Sequence, residues 1–309
     1  MPKKHLIIAT RKSKLALWQA NFVREQLIKA HPTLEVSLLG ITTSGDNWLS
    51  SPLAEIGGKG LFVKELELAM LEGRADIAVH SLKDVPSVLP DQFEMPVIGF
   101  REDPRDALVS LDSHILSSLP YGARVGSSSE RRHAQIKIAR PDLIFVPIRG
   151  NIETRLRKLE SENYDALILA SAGLHRLGLS NRISEYQDVD TCLPAAGQGA
   201  LGVECRRGDK TTLSFLAPLK EQNSLEQITA ERMVAEKLGV DCSVPLGVFA
   251  TLEEKSIFLR VFLGIPGGPV FRAQCRGKTA SAVSDKVVEE LLGMGANSVI
   301  ASFKSGKPR

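Results

Sequence analysis

Apolar positions along the first two-thirds of the chain switch repeatedly between two periods. A short run at Leu6–Ala9 gives way to Leu15, Trp18, Phe22 and Val23 at helical spacing, which predicts a strand followed by a helix. Glu35–Thr43 reads as a second strand, Phe62, Leu66, Ala69 and Met70 mark one face of a helix, and Asp76–Val79 has a buried-strand pattern. Such alternation predicts a sheet covered by helices on both faces. After the polar stretch Arg101-Glu-Asp-Pro-Arg-Asp106 the pattern restarts, with strands near Ala107–Val109, Arg124–Gly126, Leu143–Val146 and Ala166–Ala170 and helices between them. Gly197–Cys205 again has strand character. Because it follows a glycine-rich crossover, it is expected to return to the first sheet.

Beyond Pro218 the pattern changes. Ser224 and Gln227 have the spacing of a capping box before a stripe of Ala230, Met233, Val234 and Leu238. Ile257–Leu263 and Val270–Cys275, joined by Pro266-Gly-Gly-Pro269, predict a hairpin, and Val283–Leu292 a closing helix. The expected fold class is therefore α/β, with two α/β domains and a small α+β C-terminal domain. The expected domains are 1–99 with 200–217, then 105–193, then 222–309. A length of 309 residues suits two or three such units.

Composition removes several function classes. With 43% hydrophobic and 24% charged residues the chain is an ordinary globular protein. A net charge of +3 and 5% aromatics give no basis for a nucleic-acid or membrane partner. Leu6–Ala9 is too short for a signal or membrane segment, so a cytoplasmic location is expected. Cys192, Cys205, Cys242 and Cys275 form no C-x-x-C pair and are expected as free thiols. The histidines lack paired spacing, and no metal site is expected.

Four segments could carry chemistry. Gly126-Ser-Ser-Ser-Glu-Arg-Arg132 follows a strand and opens a helix, where free N–H groups and two guanidiniums suit carboxylate or phosphate. A serine cap followed by a solvated arginine pair would read the same. Arg149-Gly-Asn151 with Thr154-Arg155, Arg11 after the first strand, and Arg176 stand at comparable strand-to-helix transitions, where ligands of open α/β sheets collect. Six such arginines predict a cleft for a ligand with several anionic groups. In His80-Ser-Leu-Lys-Asp-Val-Pro86, Asp84 would stay ionised in a basic cleft and could stabilise a cation, although Lys83–Asp84 could equally be a loop pair. Cys242 lies in a loop after a helix, a position open to covalent chemistry, yet the residues alone do not separate it from a buried filler or favour it over Cys205. Gly57-Gly-Lys-Gly60 lacks P-loop spacing and reads better as a flexible lid or linker.

Over essentially its whole length the chain resembles the porphobilinogen deaminase family. The motifs are Ala9-Thr-Arg-Lys-Ser13 with Leu15-Ala-Leu-Trp-Gln19, Gly57-Gly-Lys-Gly-Leu-Phe-Val-Lys-Glu-Leu66, Asp76-Ile-Ala-Val-His-Ser-Leu-Lys-Asp-Val-Pro86, Arg101–Asp106, Arg149-Gly-Asn151 with Thr154-Arg155, and Leu193-Pro-Ala-Ala-Gly-Gln-Gly199. The resemblance implies two domains built like periplasmic binding proteins and a third carrying a dipyrromethane cofactor, thioether-linked to Cys242. It implies that Arg11, Ser13, Gln19, Lys83, Ser128, Ser129, Arg131, Arg132, Arg149, Gly150, Arg155 and Arg176 bind carboxylates of cofactor, substrate and growing chain. Asp84 would be catalytic, and Gly58, Lys59, Gly60 and Phe62 a lid. The implied enzyme is a monomer that condenses porphobilinogen with loss of ammonia and passes its product to the next tetrapyrrole enzyme. Departures from the family pattern are Asp241 where glycine is common, Glu130 where leucine is, Ser44 for arginine and Glu55 for a basic residue. A non-catalytic polycarboxylate-binding protein is the rival reading, since fold alone does not separate the two.

Overall fold

The computed structural model describes residues 5–47, 60 and 62–304. Strands β1 (His5–Arg11), β2 (Glu35–Ile41), β3 (Ile77–Ser81), β4 (Phe93–Gly99) and β10 (Leu201–Arg206) form one sheet in the order β2-β1-β3-β10-β4. β1 runs parallel to β2 and β3, while β10 is antiparallel to β3 and β4. Successive residues of β1 point to opposite faces. Leu6 and Ile8 meet Ala20, Val23 and Leu27 of helix α1 (Lys14–Ala30), whereas Ala9 meets Leu66, Ala69 and Met70 of α3 (Lys64–Leu71). Each fully buried aliphatic side chain contributes about 1.5–3 kcal/mol. α1 starts where it does because the Ser13 Oγ accepts the Ala16 N–H at 3.3 Å.

A second mixed sheet is contiguous in sequence: β5 (Asp106–Ser110), β6 (Arg124–Gly126), β7 (Ile144–Val146), β8 (Ala166–Ala170) and β9 (Glu185–Tyr186), in the order β7-β6-β8-β5-β9. Its faces are covered by α4 (Glu130–Ala139), α5 (Ile152–Ser161) and α6 (Ser171–Arg176), with Leu108, Val125 and Ile168 under Ile136, and Val109, Leu167 and Leu169 under Leu156 and Leu174. The third unit packs α8 (Gln222–Leu238), α9 (Ala280–Gly293) and α10 (Asn297–Lys304) on an antiparallel sheet of β11 (Leu246–Glu253), β12 (Ser256–Gly264) and β13 (Val270–Gly277). The short helices α2 (Ser44–Asn47) and α7 (Lys210–Leu216) complete the set used below. Among the described residues no helix is long and apolar enough to cross a membrane.

Several boundaries differ from the sequence pattern for identifiable reasons. The second strand stops at Ile41, because the Thr43 N–H and hydroxyl turn to Asp46 Oδ2 at 3.1 and 2.8 Å. β4 was not predicted: it contains Pro96, which weakens the strand signal and is tolerated on this edge strand. β11 was missed as well, hidden by the Pro245 turn that precedes it. No capping box opens α8. Ser224 lies within its first turn, and its hydroxyl donates to Glu221 Oε2 at 3.1 Å. Residues 197–200 are a turn rather than strand, and β10 begins at Leu201. Gly199 has φ +89°, and a Cβ there would sit 2.4 Å from the Glu102 carbonyl oxygen, so the crossover requires glycine.

Candidate active site

The ends of β1, β3, β6, β7 and β8 converge with the crossover at Gly199 on one cavity of about 620 Å³, within the range of small-molecule sites. Ten of the twelve carboxylate-binding candidates line it: Arg11, Ser13, Gln19, Lys83, Ser128, Arg132, Arg149, Gly150, Arg155 and Arg176. Asp84 joins them. Several of these side chains are held by bonds within the protein. Gln19 donates to Ser81 Oγ at 2.8 Å, Arg155 Nε to the Gly150 carbonyl at 2.8 Å, and Arg176 Nη2 to the Gly199 carbonyl at 2.6 Å. The Ser128 hydroxyl donates to the Ile148 carbonyl at 2.9 Å, stitching the loop after β6 to the loop after β7.

The remaining two candidates, Ser129 and Arg131, are placed elsewhere. Ser129 caps α4, its Oγ accepting the Arg132 N–H. Arg131 is turned into the protein, where Nη1 reaches Asp106 Oδ2 at 2.7 Å and the Leu193 carbonyl at 2.6 Å. Arg132 also grips Asp106, through Nε at 3.0 Å and Nη2 at 2.7 Å, while still lining the cavity. Burial opposes charge on Asp106, but the two guanidiniums hold its carboxyl well below the usual range. Asp106→Asn would leave two buried cations without their anion. It should cost about 3–5 kcal/mol, read as a fall in urea midpoint with unchanged slope.

Of the lid candidates, Gly58 and Lys59 lie outside the described residues. Gly60 adopts φ +75°, and Phe62 lines the cavity with its ring 4.1 Å from the Arg11 guanidinium. The other partner of Arg11 is Asp46, which sequence reading missed. The signal was there in outline: β1 and β2 are parallel and end in register at Arg11 and Ile41, so the loops that follow them must be neighbours. Gly45 leaves room for this arrangement, since a Cβ would lie 2.3 Å from the Phe62 ring.

A crowded set of cations in a buried site shifts its own members. Burial first, and then Arg132, pushes Lys83 down to about 8 and Arg155 to about 10; burial pushes Arg176 to about 10. Each would be relieved by an anion. The cysteines separate clearly: Cys192, Cys205 and Cys275 are buried, and Cys242 alone is exposed. Its thiol is pushed up to about 11, first by desolvation and next by the charge of Asp84.

Two family models cover most of the chain. Residues 6–214 match porphobilinogen deaminase, dipyromethane cofactor binding domain, and residues 225–293 match the porphobilinogen deaminase C-terminal domain. A porphobilinogen deaminase of Syntrophotalea carbinolica is 49% identical over 306 residues, 98% of this chain and 97% of that protein. The chain belongs to the porphobilinogen deaminase family. Solved periplasmic binding proteins overlap it in part. A TRAP solute-binding protein of Desulfovibrio salexigens (12% identity, TM-score 0.43) covers 71% of this chain and 72% of its own, and a Salmonella typhimurium binding protein (12%, 0.41) covers 76% and 98%. The two-sheet architecture rests on the strand pairing described above rather than on these overlaps.

Of the departures from the porphobilinogen deaminase pattern, Ser44, Glu130 and Asp241 do not line the cavity. Asp241 adds to the upward push on the Cys242 thiol, after burial and Asp84. Its Oδ1 accepts the Ser243 N–H at 3.0 Å. Glu130 occupies the first turn of α4, where a carboxylate suits the helix dipole. The Ser44 N–H donates to Glu65 Oε1 at 2.7 Å. Glu55 lies outside the described residues.

Proposed function

We propose that this porphobilinogen deaminase acts as a hydroxymethylbilane synthase. It condenses four porphobilinogen molecules head to tail, with loss of ammonia, onto a dipyrromethane primer on Cys242, and water then releases hydroxymethylbilane. The observation that carries this reading is the exposed thiol of Cys242, within reach of the charge of Asp84, which itself lines a cavity rich in cations.

The residues present fit the cofactor. Cys242 supplies an accessible sulfur for a thioether, and Arg11, Arg132, Arg149, Arg155, Arg176 and Lys83 supply donors for its carboxylates. When bound, the dipyrromethane supplies the pyrrole carbon to which the first substrate is joined. Asp84 accepts hydrogen bonds from pyrrole N–H groups and offsets the positive charge that develops on the substrate as its amine departs. We place the division into domains at 1–99 with 200–217, 105–193 and 222–309, and infer a cytoplasmic monomer that hands its product to the next tetrapyrrole enzyme.

Incubation with porphobilinogen tests the activity directly: ammonia and a linear tetrapyrrole should appear together. Binding of porphobilinogen without ammonia release would instead favour the binding-protein reading. A pH dependence follows from Lys83. Its ammonium is lost as pH rises through about 8, so the carboxylate grip weakens and KM rises on the alkaline side. Lys83→Arg, which stays charged, should flatten that rise in a KM–pH profile.

A further inference from the structure

Three titratable side chains on the α3 face of the first sheet have no part in the reading above. His80 Nε2 and Glu204 Oε2 lie 2.8 Å apart, one 6% and the other 0% exposed. Glu204 Oε1 is buried and faces no donor in its charged surroundings. Glu67, on α3 and only partly buried, engages the Glu204 side chain. Two carboxyls that engage each other can both be satisfied when one carries a proton, and a protonated Glu67 can donate to Glu204. Burial, then the charge of Glu204, pushes Glu67 up to about 7, against the opposing pull of His80 and of Lys64 on the same helix.

At the other end of the row, His80 lines an annex of about 70 Å³. Arg11, Ser13, Gln19, Ser81 and Asp84 line both the annex and the main cavity, so the two communicate. The annex exceeds the space one water needs, and its hydroxyl, amide, imidazole and carboxyl groups can hold water.

We propose that His80, Glu204 and Glu67 form a proton relay from the Asp84 side of the cleft to solvent on the α3 side of the first sheet. The proposal rests on the activity inferred above. In each addition the substrate's C–N bond breaks with its electron pair going to nitrogen, which leaves as ammonia, and a C–H proton is released as the new C–C bond closes. A substrate that enters as an ammonium thus leaves one proton behind in the cleft. His80 takes that proton from annex water on one ring nitrogen and passes the proton of Nε2 to Glu204. Glu204 hands on to Glu67, and Glu67 releases to solvent. The cleft around Asp84 is thereby cleared of the released proton before the next addition. The three are positioning and relay residues, since none touches the reacting atoms.

Glu67→Gln keeps the shape and can still donate to the Glu204 carboxylate, but it cannot pass a proton. With primer-loaded protein its kcat for ammonia release should fall about ten-fold, below the range for a group acting directly on substrate, with KM unchanged. In the wild-type protein without substrate, a protonated-carboxyl infrared band should titrate near pH 7 and be missing from Glu67→Gln. Wild-type kcat in the variant on both sides of pH 7, or no titrating carboxyl band in the wild type, would overturn the relay. Failure of the activity reading has a separate mark: the wild-type protein itself would release no ammonia from porphobilinogen.

Discussion

A Cys242→Ser protein purified from cofactor-replete cells will have the mass of its sequence, while the wild-type protein will be heavier by two pyrrole units. The argument is one of access and charge. Cys192 and Cys205 are buried thiols pushed up to about 12, and Cys275 is buried at the sheet of the third unit, so Cys242 is left as the thiol an adduct can reach. Serine replaces one atom, keeps the loop and removes the nucleophile, so folding should survive and turnover should be abolished. Intact-mass spectrometry reads the first effect and tetrapyrrole formation the second. An adduct that persists in the variant would move the attachment point and remove the reason for assigning the loop a chemical role.

The second large effect is expected at Asp84. Asp84→Asn preserves size and one acceptor oxygen but removes the charge that faces the developing cation. The expected loss is about 10²–10³ in kcat, with a much smaller change in KM, as when a preorganised electrostatic partner is deleted elsewhere. The measurement should use protein whose mass shows the primer in place, so that catalysis and attachment are read apart. The same substitution should lower the Cys242 thiol pKa, because the charge of Asp84 is one of the causes that raise it. Thiol alkylation rates against pH would show that shift in unprimed protein. An unchanged kcat would leave the cavity as a binding site and shift the argument to the rival reading.

The sheets were legible in the sequence because their strands are short, apolar and separated by turn residues. Arg124–Gly126 and Ala166–Ala170 coincide with the expected bounds. β4 was obscured by Pro96, and the two residues of β9 are too few to carry a period. Most of the cleft could be anticipated for one reason: arginines placed just after strands end up at the same edge once the strands are parallel. What the sequence could not convey is how each arginine spends its donors. Arg131 and Arg132 are adjacent, yet one is consumed by Asp106 and Leu193 while the other keeps a face toward the cavity. That difference depends on the Leu193 carbonyl, which Arg131 reaches and Arg132 does not, far away in sequence. The pairing of Arg11 with Asp46 is hidden in the same way.

The position of β10 between β3 and β4 has a consequence for synthesis on the ribosome. The sheet that is begun first cannot be finished until Leu201–Arg206 have left the exit tunnel, whereas the second sheet has all its strands once Tyr186 has emerged. Of the two sheets that frame the cleft, the one begun second is completed first. Until then β3 and β4 expose unpaired edges separated by the gap that β10 will fill, a state prone to improper pairing. A nascent chain that has emerged past Tyr186 but not yet to Leu201 should therefore carry a finished middle lobe tethered to an open N-terminal one, and chaperone holdases would find their target there.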